Sequence, residues 1–120
     1  GIIENTLFKF KEISDINKIT ASVGPCIGKE SYEVDEDFYC KFIKETKLNQ
    51  VFFEGKNDKK YLFDIRGYVI NKLKLNGVSD IDDVNRNTFI EADNFFSYRR
   101  SQKLGELDYG RCISTICLKT

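Results

Sequence analysis

Apolar residues along this chain switch repeatedly between a helical spacing of three to four and a strand spacing of two. That alternation constrains the fold more than any other feature, because a 3.6-residue period and a 2-residue period cannot occupy the same element. Ile2, Ile3, Leu7, Phe10 and Ile13 predict a helix over residues 2 to about 12. Ile19, Ala21 and Val23 predict a short strand that runs into a turn at Gly24-Pro25-Cys26-Ile27-Gly28, where two glycines flank the only proline. A second helix is expected from Asp35 to about Glu45, with Val34, Phe38 and Phe42 on one face. Its acidic start and its lysines at positions 41 and 44 complement the helix dipole. Val51-Phe52-Phe53 is an apolar run of undecided type, followed by a solvated loop from Gly55 to Lys60. Asp64 should cap a third helix carrying Ile65, Val69 and Leu73, stopped by Asn76-Gly77. Gly67 within that helix predicts close packing against another element. Residues 78 to 89 read as a turn and then a strand. Cys112 to Leu118 is apolar on both faces, the pattern of a buried interior strand. Helices and strands interleave without a repeat or a linker, so the class is α+β in a single domain spanning 1–120.

Sixteen aromatic residues, ten Phe and six Tyr, supply enough bulk for one packed core at this length. Nineteen Lys and Arg balance nineteen Asp and Glu. No basic excess drives nucleic-acid binding, and no one-sided charge or long apolar run points to a membrane. The four cysteines, Cys26, Cys40, Cys112 and Cys117, have no C-x-x-C spacing, so free and mostly buried thiols in a reducing cytoplasm are expected. The chain has no His, Met or Trp. Without His, the commonest general base and the commonest metal ligand are both missing. Gly1 opens the sequence without a Met, and the first helical pattern begins there with no capping residue. A preceding segment is therefore expected.

Chemistry concentrates near the carboxy terminus, in Phe95-Phe96-Ser97-Tyr98-Arg99-Arg100 and Gly110-Arg111. A guanidinium is a planar fork of donors suited to phosphate or carboxylate. On an extended segment, consecutive arginines face opposite ways, so one of Arg99 and Arg100 would turn inward. Ser97, Arg111 and the open backbone of Gly110 would complete an oxyanion-binding corner. The alternative is that these arginines pair with surface carboxylates. At Gly24-Pro25-Cys26, a Cys on a turn after a strand is a conceivable nucleophile. With no His to activate it, a structural turn is favoured. Asp80, Asp82 and Asp83 lack calcium-loop spacing and are assigned no metal.

Together, Val23-Gly24-Pro25-Cys26-Ile27-Gly28, Tyr32-Glu33-Val34, the Phe95–Arg100 run and Gly110-Arg111 resemble the YfiH family, also labelled polyphenol oxidase or laccase-domain proteins. Tyr61-Leu62-Phe63-Asp64-Ile65 is similar to the family's segment at the matching place. The resemblance covers nearly the whole chain and corresponds to the carboxy-terminal half of family members. It implies the carboxy-terminal part of a layered α/β/β/α sandwich. It also implies a cytoplasmic purine nucleoside enzyme that carries out phosphorolysis of adenosine, inosine or methylthioadenosine, and adenosine deamination. Older labels imply copper-dependent phenol oxidation. The family's zinc or copper is held by two histidines and a cysteine of the amino-terminal half, the last His in an H-A-G-W-R-G segment whose end resembles Gly1-Ile2-Ile3. No metal ligand and no catalytic group carries over to this chain, which is expected to bind no metal by itself. Ser97, Arg99, Arg100 and Arg111 become candidates for substrate and phosphate contact. The implied partners are a purine nucleoside, phosphate and an amino-terminal-half polypeptide. Two features depart from the family: Asn87-Thr88 replaces a Cys-Thr pair, and the stretch between Arg100 and Gly110 is longer. A different reading is a non-catalytic remnant or scaffold subunit. In the half-enzyme reading, the face left by the missing half is expected to be exposed and apolar.

Overall fold

A computed structural model describes residues 1–119. Helix α1 covers Ile2–Lys11, and no side chain caps its start. The Gly1 amino group instead lies 3.6 Å from the Glu4 carboxylate. Leu7 is buried and seats α1 on the third helix, while Ile2, Phe8, Phe10 and Ile13 stay exposed. Strand β1, Thr20–Val23, follows as expected. After the turn come β2, Glu33–Asp35, and α2, Glu36–Glu45, where the Asp35 carboxylate accepts from the Phe38 N–H at 2.9 Å.

The undecided run at 51–53 is divided between two elements. A 3₁₀ turn over Lys47–Phe52 ends where strand β3, Phe53–Gly55, begins. A tight reversal joins β3 to β4, Lys60–Phe63, with Asp58 and Lys59 both at positive φ. Its lysines are less free than a solvated loop implies: Lys56 pairs with Glu33 at 2.8 Å and Lys59 with Glu36 at 3.1 Å. Helix α3, Ile65–Leu75, is capped by Asp64, which accepts from the Gly67 N–H at 2.9 Å. The expected reason for Gly67 is corrected here. A side chain at that position would collide with the capping carboxylate of Asp64, not with another element. Gly77, at φ +97°, ends α3 in a conformation that L side chains disfavour.

Strands β2, β4 and β3 form an antiparallel sheet in that order, with Val34 opposite Tyr61 and Glu54 opposite Leu62. Strand β5, Asp80–Asp83, pairs in parallel with β1, Thr20 facing Asp80 and Val23 facing Asp83. The acidic side chains of β5 have local partners: Asp80 accepts from the Thr20 hydroxyl at 2.7 Å and Asp82 from that of Ser22 at 3.3 Å. The mixture of helix and sheet is the expected α+β class.

Phe63, 1% exposed, is the centre of the core. Phe53, Phe42, Phe38 and Tyr32 surround it with ring centroids 4.6, 4.9, 5.3 and 5.7 Å away. The cluster clamps α2 to the antiparallel sheet. Burial of one such ring contributes about 2–3 kcal/mol, and each well-placed aromatic pair adds roughly 0.5–1.5 kcal/mol.

Three expectations are corrected. Residues 112–118 form no strand and lie exposed, Ile113 at 89% and Leu118 at 96%. A strand buried on both faces needs neighbours on both edges and cover on both sides, and no described element pairs with this segment. The thiols are free, but Cys40, Cys112 and Cys117 are exposed and only Cys26 is partly covered. The arginine run is helical: α4 spans Tyr98–Leu104 and ends at Gly105. The long stretch after Arg100 is thus helix for its first part.

Candidate anion-binding turn

Ser97 caps α4. Its buried hydroxyl accepts from the Arg100 N–H at 3.3 Å, which is why a helix starts here in place of an extended segment. A helical turn sends the two arginine side chains in different directions. Arg100 points back into the preceding loop. Its guanidinium donates to the carbonyls of Thr88, Phe89 and Phe95 at 2.7, 2.9 and 2.6 Å. Arg99 points toward the antiparallel sheet, lies 5.4 Å from the Tyr32 ring centroid and donates to the Glu33 carbonyl at 3.0 Å. Neither arginine forms an ion pair among the described residues, so the surface-carboxylate alternative gives way. Both guanidinium groups bind the backbone of their own fold.

The two are not equally occupied. Arg100 is committed on both terminal nitrogens. Arg99 uses one, and it lines an open polar cleft of about 230 Å³ with Tyr32, Glu33, Asp35 and Lys60. Arg111 is exposed and stacks on Tyr109 at 4.5 Å, and Tyr109 in turn packs against Tyr98 of α4 at 4.7 Å. The ring of Phe96 lies directly against Gly110, so this ring fills the space where an oxyanion was expected to approach. A larger hollow, about 470 Å³, lies elsewhere, on the apolar outer face of α1.

Cys26 is held by its backbone in a bridge to Asn87, its N–H donating to the Arg86 carbonyl at 3.2 Å. Burial pushes the thiol above the ordinary cysteine range, although Arg66 beside it acts the other way. A protonated thiol is a poor nucleophile, in keeping with a structural turn. Asn87 is itself buried. It donates to Glu30 at 2.5 Å and accepts from the Phe89 N–H at 2.9 Å.

Sequence reasoning missed Arg66. From the first turn of α3 it donates to Asn85 at 2.5 Å and to the Arg86 carbonyl at 2.7 Å, with Asp83 at 3.3 Å from its Nε. That approach is too oblique for a hydrogen bond from Nε, which remains buried and unpartnered. It fastens the segment that carries Asn87 and the loop gripped by Arg100. An arginine two residues after a helix-capping Asp was the available signal. Lys72 was also missed. It joins Glu4 of α1 at 3.0 Å and Glu45 of α2 at 2.8 Å. Burial opposes its charge, yet the two carboxylates outweigh burial and hold the ammonium above the usual lysine range.

Among the described residues, no group of three or more His, Cys, Asp or Glu side chains is placed to hold a metal ion. The four cysteines do not converge and there is no imidazole. The donor set of this chain does not fit a resident metal. Among the described residues, no helix is long and apolar enough to cross a membrane.

The fold belongs to a class of mixed α+β proteins with solved examples. A YfiH protein of Bacillus licheniformis superposes with a TM-score of 0.77 at 24% identity, over 84% of this chain and 40% of that one. A DUF152 protein of Neisseria meningitidis superposes at 0.71 with 27% identity, over 82% of this chain and 42% of that one. The family model described as multi-copper polyphenol oxidoreductase laccase matches residues 1–119, and the chain belongs to that family. A purine nucleoside phosphorylase of Rickettsia conorii is 35% identical over 120 residues, 99% of this chain and 50% of its own length. The purine nucleoside phosphorylase YfiH of Escherichia coli is 32% identical over 108 residues, 89% of this chain and 43% of its own length. The chain spans about half the length of the curated relatives it matches.

Proposed function

We propose that this chain supplies the carboxy-terminal half of a purine nucleoside phosphorylase-type enzyme acting in the cytoplasm on adenosine, inosine or methylthioadenosine. The observation that carries this reading is 35% identity over 99% of the chain to a relative bearing that activity's name. In phosphorolysis, a phosphate oxygen bonds to the anomeric carbon of the sugar while the carbon–nitrogen bond to the base breaks. The base leaves with the bonding pair and takes up a proton. Such a step needs phosphate held in place and its charge balanced.

Of the candidate residues, Arg99 is best suited to that task. Its guanidinium lies over the Tyr32 ring and lines a polar cleft with Lys60, two cations that share the cleft with the Glu33 and Asp35 carboxylates. Arg100 and Ser97 hold the turn that carries it. Arg111 is an exposed second cation. Adenosine deamination and the zinc or copper of the complete enzyme are assigned to no residue of this chain. The free thiols are consistent with a reducing compartment.

The test mixes this chain with a polypeptide equivalent to the unmatched half of the Rickettsia conorii relative and follows adenosine phosphorolysis. Arg99→Ala should raise the KM for phosphate by roughly 10–100-fold, the scale of one lost charge-assisted contact. Full activity in that variant would remove Arg99 from the reaction. The second reading is a non-catalytic remnant or scaffold. It predicts no phosphorolysis in the mixture.

A further inference from the structure

We propose that the exposed run Cys112–Leu118 and the open edges of the β1–β5 pair form one docking surface for the complementary half of the family's domain, a polypeptide that adds strands. This deepens the reading above and rests on the same family membership.

Two independent deficits meet at this surface. A parallel pair of strands is stable only inside a larger, covered sheet, yet β1 and β5 stand as a two-stranded sheet with two free edges. The segment after Arg111 carries apolar side chains on both faces and exposes them, Ile113 at 89%, Ile116 at 81% and Leu118 at 96%. It passes close to the end of β1, since a Cβ on Gly24 would lie 3.7 Å from the Ser114 hydroxyl.

The shape agrees. The radius of gyration is 16.2 Å, and the molecule is a slab with extents of 45 × 36 × 20 Å. A compact domain of this length would have a radius of gyration of about 14 Å. The choice of occupant follows from the matching folds: this chain accounts for 40% and 42% of them, and for half of the Rickettsia conorii relative. Those proteins therefore carry at least as much polypeptide again. A second copy would bring the same surplus of apolar surface and the same short parallel pair. It is the less complementary occupant.

The thiols provide a built-in reporter. Cys112 and Cys117 lie within the proposed contact, while Cys40 is exposed on α2 and serves as the internal control. The chain is titrated with the unmatched half of the Rickettsia conorii protein, and alkylation of each thiol is followed by mass spectrometry. Docking should slow alkylation of Cys112 and Cys117 by about tenfold or more and leave Cys40 unchanged, as expected for local protection from solvent. The double variant Ile113→Asp/Ile116→Asp should weaken the complex by roughly 100-fold, the equivalent of losing burial of these side chains. Because both are exposed, its circular dichroism should match that of the parent chain. Unchanged alkylation of Cys112 and Cys117 at every concentration of the added half overturns the proposal. So does protection already present in the chain alone that grows with its own concentration, the signature of self-association. A footprint without phosphorolysis rejects the proposed activity and leaves the interface standing.

Discussion

Arg99 and Arg100 are neighbours in sequence, yet their guanidinium groups diverge, one over the Tyr32 ring and the other into the carbonyls of Thr88, Phe89 and Phe95. The helical turn set by the Ser97 cap produces this separation. Removing the Arg100 side chain strips three carbonyls of their donors, so Arg100→Ala should cost about 2–4 kcal/mol. Arg99→Ala, which frees one carbonyl near solvent, should cost under about 1 kcal/mol. Urea unfolding followed by circular dichroism measures both, and equal losses would contradict the division of labour.

Acid should loosen the contact between α1 and the helices beneath it. A backbone hydrogen bond, followed by Lys72, holds Glu4 below the ordinary carboxylate range, and Lys72 does the same for Glu45. A carboxylate with a depressed folded value stabilises above its unfolded value, about 4.3, and loses that contribution as pH falls through the folded one. The raised Lys72 contributes fully below about 10.4 and is lost as pH climbs through its higher folded value. Thermal melts should therefore show a plateau between about pH 5 and pH 10 and a decline on the acid side. Lys72→Met should shrink the acid decline.

Gly28→Ala tests the Asn87 anchor. An added methyl at residue 28 would strike the Asn87 amide and the Glu30 carboxylate that it binds. Asn87 is buried and cannot swing aside, so a loss of about 1–3 kcal/mol is expected. Wild-type stability in that variant would show that the pair is slack.

In the chain alone, iodoacetamide should modify Cys40, Cys112 and Cys117 well before Cys26. The first three are exposed, and burial raises the Cys26 thiol so that less thiolate is present at a given pH. Peptide mass mapping over time resolves the order, and rapid loss of the Cys26 thiol would contradict its placement.

Elements encoded by near neighbours were legible. Asp35 and Asp64 announced the starts of α2 and α3, and Asn76-Gly77 announced the stop of α3, because capping and left-handed termination are local. Phe38 and Phe42 were placed on the correct face for the same reason. Readings that depend on distant chain failed. Cys112–Leu118 has the pattern of an interior strand, but pattern specifies only what a segment would do if neighbours were present. The arginine run was read as extended because Ser97 was taken as a ligand group, whereas it is a cap. Arg66 and Lys72 escaped notice because their partners lie on other elements, and no spacing rule connects Lys72 with Glu4.

The two sheets differ in how far apart their strands lie along the chain. The β3–β4 hairpin closes through Asn57 to Lys60, whereas Thr20 must find Asp80 across 60 residues. Closing the larger loop costs more chain entropy before any contact compensates for it, and such pairings form slowly. The antiparallel sheet and its phenylalanine cluster should thus organise first during refolding, with the parallel pair joining last.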